Sequence, residues 1–110
     1  MGMDTELIKG TLSLLILSLL SRKPMYGYEI ATTVGQDTGG AFDWKEGSLY
    51  PSLHKLEKDG LIRGQWQGKP GERRRKYYHL TKGGRAVLVE KSESWGQLCR
   101  AVNQVLEKSK

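Results

Sequence analysis

The last third of the chain sets the strongest constraint on its fold. From Thr81 to Lys108 there is no proline, and apolar residues recur in heptads: Leu88, Trp95 and Val102 lie seven apart, as do Leu98 and Val105. Cys99 and Leu106 fill intervening positions. A mean spacing of 3.5 residues marks a seam between two helices rather than one core-facing stripe. At 1.5 Å per residue the helix would be roughly 40 Å long, longer than the small domain before it can cover. The seam of Leu88, Trp95, Leu98, Val102, Val105 and Leu106 needs another chain.

A second apolar extreme is Leu12 to Leu20, LSLLILSLL. It stops at Ser21-Arg22-Lys23-Pro24, short of the roughly 18–20 residues of a membrane span. Asp4 and Glu6 stand where a signal peptide would be basic, and no small-x-small cleavage site follows. The segment reads as a soluble helix from about Glu6 to Leu20, capped by Thr5 and apolar on more than one side. No membrane partner is expected. Cys99 is the single cysteine, so neither a disulfide nor a cysteine-built zinc site can form. His54 and His79 are too few to close a metal site. No cofactor is expected, and the compartment expected is the reducing cytoplasm.

Between these extremes the periodicity predicts two more helices and a hairpin. The first helix runs from Met25 or Tyr26 to Gln36, with Tyr26, Ile30 and Val34 on its inner face, and ends at Asp37-Thr38-Gly39-Gly40. The next covers Glu46 to Asp59 and is stopped by Gly60. Leu49, Leu53 and Leu56 fall within about 60° of one another on a helical wheel, one narrow buried stripe. Opposite lie Pro51, His54, Lys55 and Lys58, with Ser48 at the N-terminal edge and Tyr50 on the flank. Pro51 belongs in a first turn, where its missing N–H costs nothing. From Leu61 to Gln67 and from Arg75 to Leu80 the pattern changes to strands joined by a turn-rich stretch. Phe42 and Trp44 should close the core, Trp66 should pack under the hairpin, and at least two of Tyr26, Tyr28, Tyr77 and Tyr78 should be structural. Thr81 then caps the long final helix.

The charge is concentrated. The formal net charge is +6, and the segment Gly68–Arg85 holds Lys69, Arg73, Arg74, Arg75, Lys76, Lys82 and Arg85 against the single acid Glu72. Elsewhere bases and acids balance, so the whole surplus sits at the hairpin and just after it. Such a cluster is either a solvated basic loop or an electrostatic footprint for phosphates or an anionic membrane surface.

Three helices followed by a two-stranded hairpin is the order of a winged helix-turn-helix, a mainly α (α+β) fold that sets its third helix in the major groove of DNA while the hairpin reaches flanking phosphates or the minor groove. Residues 1–80 would form that DNA-binding domain and residues 81–110 a C-terminal dimerisation helix. Catalysis is disfavoured, because Asp4, Glu6, Asp37, Asp43 and Glu46 are scattered over caps and loops and no phosphate-cradling loop or metal spacing occurs. The remaining alternative is a winged helix used for protein or RNA contacts, without operator binding.

Specific strings strengthen the first reading. Tyr26-Gly27-Tyr28-Glu29-Ile30, Gly47-Ser48-Leu49-Tyr50-Pro51, Leu56-Glu57, Gly60-Leu61-Ile62 and Arg74-Arg75-Lys76-Tyr77-Tyr78 together resemble the PadR family of bacterial transcriptional regulators, in its short branch. The resemblance implies a homodimeric repressor on a pseudo-palindromic double-stranded DNA operator, dimerising through its first and last helices. It implies DNA contacts from Tyr26, Ser48, Tyr50, Pro51, His54 and Lys55, with Lys58 on the same helix face, and wing contacts from Arg73, Arg74, Arg75 and Lys76. Glu93-Ser94-Trp95 followed by Leu98, Val102 and Leu106 is similar to the multidrug-sensing members. That similarity implies a small aromatic or multidrug-like effector at the dimer centre, against Trp95, with Leu7, Gly10, Leu14 and Cys99 as lining. Cys99 stands where those members carry an acid. Trp95 either lines such a site or simply plugs the interface.

Overall fold

Four helices and three short strands follow one another in the computed structural model, which describes residues 10–110: α1 (Leu12–Arg22), β1 (Met25–Tyr26), α2 (Gly27–Asp37), α3 (Glu46–Lys58), β2 (Ile62–Gln67), β3 (Arg75–Leu80) and α4 (Lys82–Lys108). The core is built where the apolar periodicity put it. Ile16, Leu17, Leu19 and Leu20 of α1 meet Ile30 and Val34 of α2 and Leu49, Leu53 and Leu56 of α3, with Met25, Ile62 and Tyr78 of the sheet beneath them. Trp44 closes this cluster edge-on to Phe42, their ring centroids 6.2 Å apart. The sheet is antiparallel in the order β1-β3-β2.

Three local features depart from expectation. Among the described residues α1 begins at Leu12, with Gly10 and Thr11 in a turn and the Thr11 carbonyl accepting the Leu15 N–H at 2.9 Å. Glycine is a poor helix interior residue, in keeping with a turn at Gly10; Thr5 lies outside the described residues. Met25 and Tyr26 form a strand rather than the first turn of α2, pairing with Tyr78 and Tyr77. Pro24 keeps the residue before it out of the helical region, and Lys23, fully extended at φ −170°, ψ 161°, brings Met25 and Tyr26 alongside β3. Pro51 lies past the first turn of α3. Its missing N–H deprives the Gly47 carbonyl of a helical donor, a loss that solvent makes good because Gly47 is exposed.

The junction from α3 to the hairpin is tightly specified. Gly60, at φ +77°, ends α3. The Leu61 N–H reaches the Leu56 carbonyl at 3.0 Å and the Gly60 N–H reaches that of Glu57 at 3.0 Å. This paired closure satisfies carbonyls that the helix end would otherwise orphan. Thr81 ties the start of α4 to the same corner: its hydroxyl donates to the Gly60 carbonyl at 2.7 Å and accepts the Gly84 N–H at 3.0 Å. Gly84 has no room for a side chain, since a Cβ there would overlap the Leu61 carbonyl oxygen and lie 2.6 Å from Leu80 Cδ1.

Beyond that corner α4 leaves the domain. Val87 and Leu88 lean on the core, the stretch from Glu90 to Leu98 flanks Gly10 and Leu14, and the end of the helix projects. The molecule measures 61 × 32 × 21 Å with a radius of gyration of 15.9 Å, against about 13 Å for a compact domain of this length. Among the described residues, no helix is long and apolar enough to cross a membrane.

Candidate nucleic-acid interface

Burying Leu49, Leu53 and Leu56 on one side of α3 leaves its other side facing water, and Ser48, Tyr50, Pro51, His54, Lys55 and Lys58 are all exposed there. No side chain caps the start of the helix; the Lys45 carbonyl accepts the N–H groups of Ser48 and Leu49 at 3.0 and 2.9 Å. Lys55 pairs with Asp59 one turn on at 3.1 Å, an exposed contact that salt and solvent weaken. Tyr50 leans across to α2, its ring so close over Gly27 that a Cβ there would lie 2.9 Å from the hydroxyl. A side chain at Gly27 would push the Tyr50 ring aside.

The hairpin carries the second group. Arg73, Arg74 and Arg75 are exposed at its loop end. The Arg75 guanidinium sits 4.7 Å from the ring centroid of Tyr26, and that of Arg74 sits 6.0 Å from Trp66. Such contacts orient the guanidinium without neutralising it. Tyr26 is in turn held edge-on to Tyr77 at 5.3 Å, and Tyr78 is buried, so the structural tyrosines are those of the sheet. Tyr28 is exposed.

Trp66 departs from expectation. It does not pack under the hairpin but is 57% exposed. Alternation along β2 puts Trp66 on the face that carries Gly64. Gly64 meets α3 through Glu57, whereas two residues later that face opens onto a cleft of about 650 Å³. Tyr26, Tyr28, Tyr50 and Trp66 supply its aromatic walls and Arg73, Arg74, Arg75 and Lys76 its charge, with Glu46 as the one acid of the lining. The cleft thus joins the start of α3, the start of α2 and the wing in one basic, aromatic surface.

Lys76 is placed differently from the three arginines. Its ammonium lies 3.0 Å from Glu57 Oε1 and 5.4 Å from the ring centroid of Tyr78, while Glu57 Oε2 accepts the Gly64 N–H at 2.9 Å. The bond from Lys76, followed by that from Gly64, holds the Glu57 carboxyl below its ordinary range, and the same pair raises Lys76. Burial pushes the Tyr78 phenol up. Glu57 and Gly64 had not stood out as a unit in the sequence. The available signal was a glycine inside a strand, which often marks a close approach.

The C-terminal candidates divide. Gly10, Leu14, Trp95 and Leu98 line a cavity of about 340 Å³ with Glu90, Lys91 and Ser94. Cys99 is half-buried and outside that lining, and Leu7 lies outside the described residues. Trp95, Leu98, Val102, Val105 and Leu106 are exposed along α4, whereas Leu88 packs on its own core. Among the described residues no cluster of three or more His, Cys, Asp or Glu could hold a metal ion.

Residues 16–90 match the model of the transcriptional regulator PadR-like family. The chain belongs to the PadR-like family. The fold agrees with solved members and relatives. A transcriptional regulator from Clostridium thermocellum superposes with a TM-score of 0.86 at 31% identity, covering 93% of this chain and 96% of that one. A PadR-like transcriptional regulator from Bacillus cereus superposes with a TM-score of 0.80 at 37% identity, covering 93% and 97%. The transcriptional regulator Rv3488 of Mycobacterium tuberculosis is 43% identical over 56 residues, 51% of each chain. This PadR-like protein is accordingly a winged-helix transcriptional regulator and not an enzyme.

Proposed function

We propose that this PadR-like chain is a repressor that binds a pseudo-palindromic operator as a homodimer, with α3 in the major groove and the wing on the flanking phosphates or minor groove. The observation that carries this reading is the single exposed surface formed by the outer face of α3 and Arg73, Arg74 and Arg75 across the aromatic cleft. Ser48 and His54 offer hydrogen bonds to base edges or phosphates, Tyr26, Tyr50 and Pro51 offer contact surface, and Lys55, Lys58 and the arginines offer charge. Two copies joined along α4 through Trp95, Leu98, Val102, Val105 and Leu106 would bury the exposed apolar strip, and their symmetry would match two half-sites about one DNA turn apart. In this reading residues 1–80 bind DNA in the cytoplasm and residues 81–110 dimerise.

The test is a gel shift with the duplex upstream of the chain's own coding sequence, alongside an unrelated duplex, at two salt concentrations. The reading predicts a shift of the upstream duplex that survives the higher salt while the unrelated one is lost. Equal shifts for both, or none at low salt, would remove the operator.

We further propose release by a ligand at the dimer centre. A flat aromatic effector seated beside Trp95, in the cavity of Gly10, Leu14 and Leu98, would alter the tilt of the paired α4 helices and with it the spacing of the two α3 helices. Quenching of tryptophan fluorescence by such a compound, here ethidium, should disappear in Trp95→Ala. Quenching that persists there would place the ligand elsewhere.

A further inference from the structure

We propose that Glu57 is a positioning residue that locks the wing at a fixed distance from α3, and that Lys76 serves this lock rather than the DNA phosphates. The inference deepens the DNA-binding reading and rests on it. Glu57 stands on α3, with its side chain about one-third exposed. One of its carboxylate oxygens accepts from β2, at the Gly64 N–H, and the other from β3, at the Lys76 ammonium, over 2.9 and 3.0 Å. A single side chain of the recognition helix therefore holds both strands of the wing.

Gly64 makes the arrangement possible. A Cβ at that position would overlap Lys76 Cε and lie 3.0 Å from Glu57 Oε2. The aliphatic arm of Lys76 crosses β2 through the space that a side chain would occupy, and its ammonium ends near the face of the Tyr78 ring. Lys76 is thus folded inward and paired. Arg73, Arg74 and Arg75 have no carboxylate partner among the ion pairs of the described residues.

Beyond Tyr77, where β1 ends its pairing with β3, the wing is a two-stranded ribbon of Trp66–Gln67 against Arg75–Lys76, which is marginally stable by itself. A protein that reads a duplex at two places gains from a fixed separation, because ordering the second contact is then largely prepaid. This gives the lock a signature opposite in sign to simple electrostatics. Removing an acid beside a DNA-binding face should tighten binding to any duplex by charge alone. Removing a lock should weaken binding only where α3 and the wing must fit together.

The experiment compares wild type, Glu57→Gln, Lys76→Met and the double variant by fluorescence anisotropy. One probe is a duplex recovered by repeated selection from random sequence on the wild-type protein; the other is an unselected random duplex of the same length. Glu57→Gln should bind the selected duplex about tenfold more weakly, within the usual coupling of contacting residues, and the unselected one as well or better. Lys76→Met should lose a similar factor on the selected duplex with an unchanged salt slope, and the double variant should lose no more than either alone. Melting curves keep each measurement below the unfolding range of its variant. Equal or tighter binding of the selected duplex by Glu57→Gln overturns the lock, as does a salt slope that falls by about one per protomer in Lys76→Met. A wild-type chain that does not distinguish the two duplexes overturns the DNA reading itself, and the lock with it.

Discussion

Replacing Arg73, Arg74 and Arg75 with alanine removes the exposed charge of the wing and leaves the fold intact, since these side chains are exposed and contribute only ring contacts. For B-DNA the logarithm of the binding constant falls with the logarithm of salt at about 0.9 per neutralised phosphate. Three arginines in each of two protomers then account for a slope of about 5. Between 50 and 200 mM salt the variant should lose about a thousandfold less affinity than wild type. Anisotropy titrations with a labelled duplex of about 24 bp, long enough for two half-sites one turn apart, measure the slope directly. The melting temperature should barely move, because surface substitutions away from caps and cores stay within about 0.5 kcal/mol. A slope reduced by less than about one, in a variant that still binds, would refute the placement of the wing on the phosphates.

Gly84→Ala should destabilise by about 1–3 kcal/mol, since the new Cβ must displace the Leu61 carbonyl or the Leu80 methyl; thermal unfolding checks it, and an unchanged melting temperature would contradict the packing of α4 on that corner. Trp66→Ala should weaken binding to all duplexes alike without changing the salt slope, because an exposed uncharged ring adds contact but no counterion release; unchanged affinity would remove Trp66 from the interface. Lowered in the folded state, Glu57 contributes stability above its unfolded value that is lost as pH falls through the folded one; raised, Lys76 contributes stability that is lost only as pH rises through its folded value. Glu57→Gln should therefore lower the urea midpoint in the neutral range toward the value reached in acid, which flattens the acid limb of the profile, and an unaltered acid limb would argue against the pair.

Much of the architecture was legible because it rests on local chemistry. The stripe of Leu49, Leu53 and Leu56, the stop at Gly60, the cap at Thr81 and the strand Arg75–Leu80 follow from spacing and turn residues, and each occurs where the pattern put it. What escaped depends on partners distant in sequence. Met25 and Tyr26 form a strand only because β3 lies alongside, and two residues carry no periodicity of their own. Trp66 looked like a core ring by type, yet its face of β2 opens where α3 no longer covers it. Lys76 read as one more base in an arginine run; its role differs because Gly64, twelve residues earlier, leaves space for its arm and Glu57 waits beyond. Charge counting cannot separate a base offered to solvent from one already paired.

Sedimentation velocity of the chain at about 1–10 µM, alone and with a labelled duplex, tests the central claim most directly. The account predicts a two-chain particle in the absence of DNA and two chains per duplex in its presence, with the Leu98→Glu/Val105→Glu variant reduced to one chain and to weak binding. A wild-type particle of one chain that binds the duplex as tightly as the account requires of two would contradict it.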